Sequence, residues 1–380
     1  MNNSQKISKR LIIVTNSASN LLSFRGRLIK ELIDKNFQVL VIIPDSDFSI
    51  DFEKNVLKLG AKISTIPLDR AGLNPFRDFL TYLALKSSFK KFKPDIVLSY
   101  TSKPIIYSGL AIGKNPKIKF FPNLTGLGYG FTEKFELKRK LINVILKSLY
   151  KLSLRFSTAV IFQNPDDELL FDNLNITKDR KTFIVNGSGV DLKFYSRTSL
   201  PSKPIFLMLS RLVADKGVIE YCEAAKEIRD KFPDVIFQLA GSFDPNPSGL
   251  KYDQLKPFID AKDIEYLGHI KDVREILNRC RYYVLPSYRE GTPRSVLEAM
   301  SIGRPIITTN TIGCKETVLN GINGLLITPK DKDSLVIAIQ KMLKLDDKKV
   351  NEMANESIKL VREKYDVRKV NQHIIKIINN

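Results

Sequence analysis

The stretch RYYVLPSYREGTPRSVLEAM, residues 281–300, opens with an apolar run that reads as a buried strand and closes with a helical pattern. Pro286 stops the strand. Thr292 is placed to N-cap the helix, and Pro293 suits its first turn. A strand that feeds straight into a helix is the repeating half-unit of a parallel α/β sheet. Two carboxylates lie in it. Glu290 is expected just outside the helix N-terminus, where a charge complementing the helix dipole accounts for it equally well. Glu298 is expected two turns inside, beside Val296, Leu297, Ala299 and Met300, where a carboxylate needs a hydrogen-bonding partner.

The same alternation extends in both directions. Short Ile- and Val-rich runs at 10–15, 38–43, 61–66, 95–100, 118–122 and 158–162 read as buried parallel strands separated by helices. The series resumes at 204–210, 235–240, 263–268, 281–286 and 305–309. Between them, NGSGVDLKFYSRTSLPSKP (186–204) holds glycines, serines and prolines without periodicity. The expectation is α/β with two Rossmann-like, doubly wound domains facing a cleft: 1–188, a linker at 189–203, and 204–364.

A chain of 380 residues, 43% of them hydrophobic, is long enough for two such cores. Lys and Arg number 61 against 41 Asp and Glu, a net charge of +20 that favours an anionic partner without choosing among nucleic acid, membrane and phosphorylated ligand. No RRM, KH or zinc signature supports nucleic acid, and the lysines are dispersed. Cys222, Cys280 and Cys314 are far apart, with no CxxC pair, which suits a reducing cytosol. The apolar run Leu11–Val14 is too short for a signal h-region, and no stretch approaches a membrane span. A cytoplasmic protein, soluble or peripheral on the membrane, is expected.

In a doubly wound sheet ligands bind at the carboxyl ends of the strands. Arg211 and Lys216 follow the strand at 204–210, with Gly217 at a helix start that attracts phosphate. Gly241 and Ser242 follow the strand at 235–240, and Gly291 lets the backbone approach a ligand. A sugar nucleotide fits this set. Arg211 and Lys216 would neutralise its diphosphate, Glu298 would accept from ribose hydroxyls, and Glu290 would hold hydroxyls of the transferred sugar. A solvated basic loop is the competing reading of Arg211 and Lys216.

Four segments then combine: SRLVADKG, PSYREGTPRSVLEAMSIGRPIITT, GCKETVLNGINGLL and NGSGVDLKFY. In this order they resemble the family-4 retaining glycosyltransferases of the GT-B fold, over essentially the whole C-terminal domain. Glu290 and Glu298 match that family's E-x7-E motif. The resemblance implies a nucleotide-sugar donor, no cofactor and no required metal. It implies retention of anomeric configuration, with the leaving diphosphate helping to take the acceptor proton on the same face. It also implies a C-terminal helix, 365–380, that crosses back to the first domain. Catalytic roles are expected for Glu290, Arg211 and Lys216, and donor binding for Glu298, Gly291, Thr292, Gly241 and Ser242. Asp45-Ser46-Asp47 matches the DxD of metal-dependent transferases, but a solvated loop reads better.

The first domain offers Arg25 and Arg27 at a helix start, Lys103 just after the fourth strand, and PNLTGLGYGF (122–131) with Gly126 and Tyr129. Gly-rich loops with aromatics at strand ends are either acceptor loops or ordinary turns. These segments resemble the branch of the family that extends polyprenyl-diphosphate-linked sugars, undecaprenyl diphosphate among them. That implies acceptor binding by Arg25, Lys103, Gly126 and Tyr129, and a bacterial surface polysaccharide or glycan as product. Many members have a histidine near Lys103; here His269 and His373 both lie outside this domain.

The segment at 133–156 places Ile142, Ile145, Leu149, Leu152 and Phe156 on one helical stripe. Lys140, Lys147, Lys151 and Arg155 form another. A basic amphipathic helix reads as an element for an anionic inner-membrane surface; packing of the apolar stripe on the sheet is the alternative. The expected activity is hexosyl transfer, of N-acetylgalactosamine or N-acetylglucosamine, from a UDP-sugar to a polyprenyl-diphosphate-linked saccharide. The competing readings are a soluble GT-B transferase with a small acceptor, a sugar-nucleotide epimerase and a nucleic-acid-binding protein.

Overall fold

The computed structural model describes residues 8–69, 74–127, 137–244 and 248–380, with the backbone alone at 20 and 137–141. The chain divides into two compact units: Met1–Ser188 with Val370–Asn380, and Gly189–Lys369.

The first unit runs β1 (Arg10–Val14), α1 (Ala18–Asp34), β2 (Gln38–Pro44), α2 (Ile50–Lys58), β3 (Lys62–Ile66), α3 (Pro75–Phe92), β4 (Ile96–Tyr100), α4 (Ser102–Ile112), β5 (Lys119–Leu124), α5 (Leu137–Leu154), β6 (Val160–Phe162), α6 (Pro165–Asn173) and β7 (Thr182–Ile184). Its sheet is parallel, in the order β3-β2-β1-β4-β5-β6-β7. Both faces are covered, which is why the central strands are unbroken apolar runs rather than alternating ones. Ile13, Leu98, Phe121 and Ile161 pack with α1 on one face, and Ile12, Val14, Val97 and Phe120 on the other. Strand order reverses between β1 and β4, the crevice position of such sheets.

The second unit runs β8 (Ile205–Leu209), α7 (Val218–Lys231), β9 (Ile236–Ala240), α8 (Tyr252–Asp260), β10 (Glu265–Tyr266), α9 (Arg274–Arg279), β11 (Tyr282–Leu285), α10 (Arg294–Ile302), β12 (Ile306–Thr309), β13 (Gly324–Ile327), α11 (Lys332–Leu343) and α12 (Asp347–Lys364). Its parallel sheet has the order β10-β9-β8-β11-β12-β13, with the reversal between β8 and β11. Buried Arg304 ties β12 to α9 through the carbonyls of Leu277 and Asn278 and to the Thr198 hydroxyl, at 3.1, 3.0 and 2.7 Å.

One segment differs from the sequence expectation. Residues 189–203 are not a free linker. Val190 exchanges backbone hydrogen bonds with Tyr365 and Val367, at 2.8 and 3.0 Å, and Arg281 donates to the Pro201 carbonyl at 2.6 Å. This aperiodic stretch is held by backbone bonds that hydropathy does not record. The last helix, α13 (Val367–Asn379), begins in the second unit but buries Val370, Ile374, Ile375, Ile377 and Ile378 in the core of the first. Asn371 also donates to Glu31 of α1 at 3.1 Å.

Candidate active site

The second unit gathers its charged loops at the carboxyl ends of β8 and β11, where strand order reverses. After β8 the chain makes a 3-10 turn, Ala214–Lys216, and reaches Gly217 at φ 72°. A Cβ at Gly217 would collide with the Pro286 carbonyl, so only glycine brings this loop against the one after β11. Tyr288 donates its amide to the Asp215 carbonyl at 2.9 Å, and the Ser287 hydroxyl donates to the same oxygen at 3.2 Å. The outcome is an ion pair between Lys216 and Glu290, whose side chains are only 18% and 14% exposed. Glu290 is pinned from its other side by an amide bond to the Ile312 carbonyl at 3.0 Å. Gly313, at φ 81°, packs against the Glu290 carbonyl where a side chain would not fit.

Glu298 lies one turn into α10 rather than two, because the helix starts at Arg294. The N-cap position is held by Pro293 rather than by Thr292. The partner demanded by its surroundings is present twice over. Arg294 donates Nε at 3.0 Å, and the Tyr195 hydroxyl bonds the same carboxylate. Burial still pushes the Glu298 carboxyl above its ordinary value, with Arg294 and Tyr195 only partly offsetting it. Arg294 also donates to the Gly189 carbonyl at 2.6 Å, which fixes the guanidinium.

Arg211 points elsewhere than Lys216. It pairs with Asp244 at 2.6 Å, a mostly buried carboxylate, while its own side chain is 47% exposed. Gly241 would, with a side chain, collide with the Ser210 carbonyl, so packing demands glycine at this turn. Ser242 accepts an amide bond from Leu212 at 2.9 Å, and its side chain is exposed. Gly291 is buried beside Glu290, and Thr292 is half-buried. Asp244, Tyr195 and Arg294 were missed as partners. Their sequence signals were that a buried Glu298 and an exposed Arg211 required counterparts, and that Arg294 stands one helical turn before Glu298.

In the first unit, Arg25 is not at a helix start. It lies inside α1, buried, with its guanidinium 4.3 Å from the centre of the Tyr100 ring. Arg27 pairs with Glu31 at 3.4 Å one turn along. Lys103 sits in the first turn of α4 and pairs with Asp78 of α3 at 2.6 Å. Gly126 adopts φ 120° after β5. Tyr129, and the side chain of Lys140, lie outside the described residues. Of the DxD-like triplet, Asp47 accepts the Ala18 amide at 2.9 Å and so caps α1.

The α5 stripe is rotated from its expected position. Tyr150 and Leu154 are buried, whereas Ile145 and Leu152 are 48% and 42% exposed beside exposed Lys151 and Arg155. Lys147 is half-buried. The three cysteines are buried and free, and burial pushes the thiols of Cys222 and Cys280 to about 12, so they are inert as nucleophiles.

Comparison with known proteins decides the class. The family described as "Glycosyl transferases group 1" matches residues 193–360, and "Glycosyl transferase 4-like" matches 12–164. The chain is 30% identical, over 97% of its length and 98% of the relative's, to the N,N'-diacetylbacillosaminyl-diphospho-undecaprenol alpha-1,3-N-acetylgalactosaminyltransferase of Campylobacter jejuni. The chain belongs to the group 1 glycosyltransferases. It is also 30% identical, over 76% of each chain, to the UDP-Gal:alpha-D-GlcNAc-diphosphoundecaprenol alpha-1,3-galactosyltransferase of Escherichia coli. Among solved structures, sucrose-phosphate synthase from Thermosynechococcus elongatus superposes with a TM-score of 0.79 at 16% identity, covering 97% of this chain and 98% of that one. Anabaena HepE in complex with UDP gives 0.75 at 18%, covering 97% and 99%. The fold of this glycosyltransferase is therefore GT-B, with two Rossmann-like parallel-sheet units. Among the described residues, no helix is long and apolar enough to cross a membrane.

Proposed function

We propose that this glycosyltransferase moves an N-acetylhexosamine from a UDP-sugar to a polyprenyl-diphosphate-linked saccharide, with retention of configuration. The observation that carries the reading is the Lys216–Glu290 pair, held at the β8/β11 reversal by Gly217 against Pro286. A diphosphate arriving there competes with Glu290 for the lysine charge. The freed carboxylate then accepts hydrogen bonds from hydroxyls of the donor sugar. Arg211 adds a second charge on exchanging Asp244 for phosphate oxygen. Glu298, presented by Arg294 and Tyr195, accepts from the ribose hydroxyls. The bond from the anomeric carbon to UDP breaks as the acceptor oxygen bonds the same face. The acceptor proton passes to a leaving phosphate oxygen. With both cations at the diphosphate, the reaction is assigned no metal.

Two relatives support the acceptor, since each is named for transfer to a sugar carried on diphosphoundecaprenol. The outer surface of the first unit supports a membrane contact. Phe76, Phe79 and Leu83 of α3 are 70%, 55% and 43% exposed, and the same helix carries exposed Lys86, Lys90 and Lys91. Val144, Ile145 and Leu152 of α5 are exposed beside Lys151 and Arg155. Apolar side chains set among lysines suit the interface of an anionic bilayer. The test is a panel of UDP-sugars incubated with undecaprenyl-diphosphate-linked saccharides, read by the mass of the lipid product. The reading predicts one added N-acetylhexosamine. Acceptor-independent isomerisation of the donor would replace it with the epimerase reading.

A further inference from the structure

The first unit has its own strand-order reversal, between β1 and β4, and a polar cluster stands beside it. Tyr100 ends β4 and pairs in register with Asn123 on β5. Both continue, two residues on, the sheet face of Leu98 and Phe121 that packs against α1. From α1, Arg25 lays its guanidinium over the Tyr100 ring. All three side chains are buried, at 6% exposure for Arg25, 3% for Tyr100 and none for Asn123.

The hydrogen bonds of two members are incomplete. Among the described residues, the Tyr100 hydroxyl has no partner, and neither the nitrogen nor the oxygen of the Asn123 carboxamide has one. Burying such groups unpaired costs free energy, about 1–3 kcal/mol for each. An apolar residue of similar size would be the more stable choice for the fold alone. Unpaired buried polar groups in a native structure call for an explanation in function or in bound water. The position at the carboxyl edge of the sheet, next to the reversal, favours a ligand.

The unpaired atoms also specify the ligand's chemistry. The carboxamide offers a donor and an acceptor side by side. Its oxygen needs an N–H or O–H from the ligand, which a fully ionised phosphate does not have. A phenol in an apolar setting stays protonated, and burial raises the Tyr100 hydroxyl further than Arg25 lowers it. The matching group is neutral, with one N–H and one carbonyl oxygen.

We infer that Asn123 and Tyr100 form a specificity site for the acetamido group of the acceptor sugar, with Arg25 fixing the phenol ring. The ligand N–H donates to Asn123 Oδ1, its carbonyl accepts from Asn123 Nδ2, and Tyr100 bonds a neighbouring sugar oxygen. The inference rests on the proposed lipid-linked saccharide acceptor. Because both groups are closed to solvent in this structure, occupation requires the side chains around them to shift.

The experiment compares two short-chain prenyl-diphosphate monosaccharides, one N-acetylated and one with a hydroxyl at the same position. Wild type should favour the N-acetylated acceptor by at least about tenfold in kcat/KM, since a site built to hydrogen-bond a group rejects the analogue without it. Asn123→Leu should bring the ratio close to one, mainly through a higher KM for the acetylated acceptor. Its melting temperature should be equal or higher, and donor hydrolysis to water unchanged. Should leucine not be accommodated, Asn123→Ala supports the same comparison. A retained ratio in the variants, or an indifferent wild type, overturns the inference and leaves the proposed function standing. A lower melting temperature with an unchanged ratio assigns the amide to a structural water. A wild type that extends neither acceptor overturns the proposed function itself.

Discussion

Glu290 and Glu298 share one strand–loop–helix unit but stand in different settings. Glu290 faces a single lysine and is held by backbone bonds on both sides. Glu290→Ala should lower transfer by a factor of about 100 or more, because a preorganised contact to the reacting sugar is removed. Near-wild-type turnover would take Glu290 out of the site. Glu298 is buried, and its carboxyl is raised above the ordinary value near 4.5. A raised carboxyl contributes stability that is fully present below its unfolded value and lost as pH rises through the folded value. Glu298→Gln should therefore gain in melting temperature relative to wild type as pH rises from about 4 toward neutrality. It should also bind UDP more weakly by calorimetry. A pH-independent difference with unchanged UDP affinity would make the residue a packing element only. Both glutamates were legible from their spacing and from the apolar neighbours of Glu298. Lys216 and Tyr195 were not paired with them, because contacts across long stretches of chain, 74 residues for Lys216 and Glu290, leave no periodic trace, whereas Arg294 stands one helical turn before Glu298, a spacing the sequence does carry.

Helices α13 and α5 show where patterning informs and where it misleads. The isoleucines of α13 sit on one face at helical spacing, and that face is buried in the first unit. Ile374→Ala should cost about 2–5 kcal/mol. Hydrogen exchange should accelerate in β1, β2 and α1 and remain unchanged in β8 and β9; uniform acceleration would contradict the assignment of α13 to the first unit. In α5, apolar residues lie on two faces, so the periodicity did not distinguish the face packed on the sheet from the one turned to solvent. Tyr150 won the core position because its ring packs edge-on against Phe171, 5.2 Å between centroids. The outward face keeps Val144, Ile145 and Leu152 with Lys151 and Arg155. Replacing Lys147, Lys151 and Arg155 with Gln should weaken binding to anionic vesicles by about two orders of magnitude, at about 1 kcal/mol per charge near the surface. Added salt should reproduce the loss, and transfer to a short-chain soluble acceptor should persist. Equal loss of both activities would make this face scaffold. The central strands were legible as apolar runs, but β7 and β13 were not. Both are short edge strands, and β13 opens with a glycine, required because the Ile306 backbone leaves no room for a side chain.

For the whole molecule, two parallel sheets each place polar side chains at the reversal of strand order, and the second unit's set is charged on both sides. The excess of cations in the chain favours anionic ligands. If Lys216 and Arg211 neutralise the leaving group, activity should survive EDTA, and strict dependence on added Mn²⁺ or Mg²⁺ would contradict that assignment. The measurement that tests the account most directly is UDP release by the purified full chain, with and without an undecaprenyl-diphosphate-linked N-acetylated saccharide. The account predicts release that rises at least tenfold with the lipid-linked acceptor, matched mole for mole by extended lipid and absent in Glu290→Ala. Release indifferent to the acceptor, or equally supported by the Glu290 variant, would contradict it.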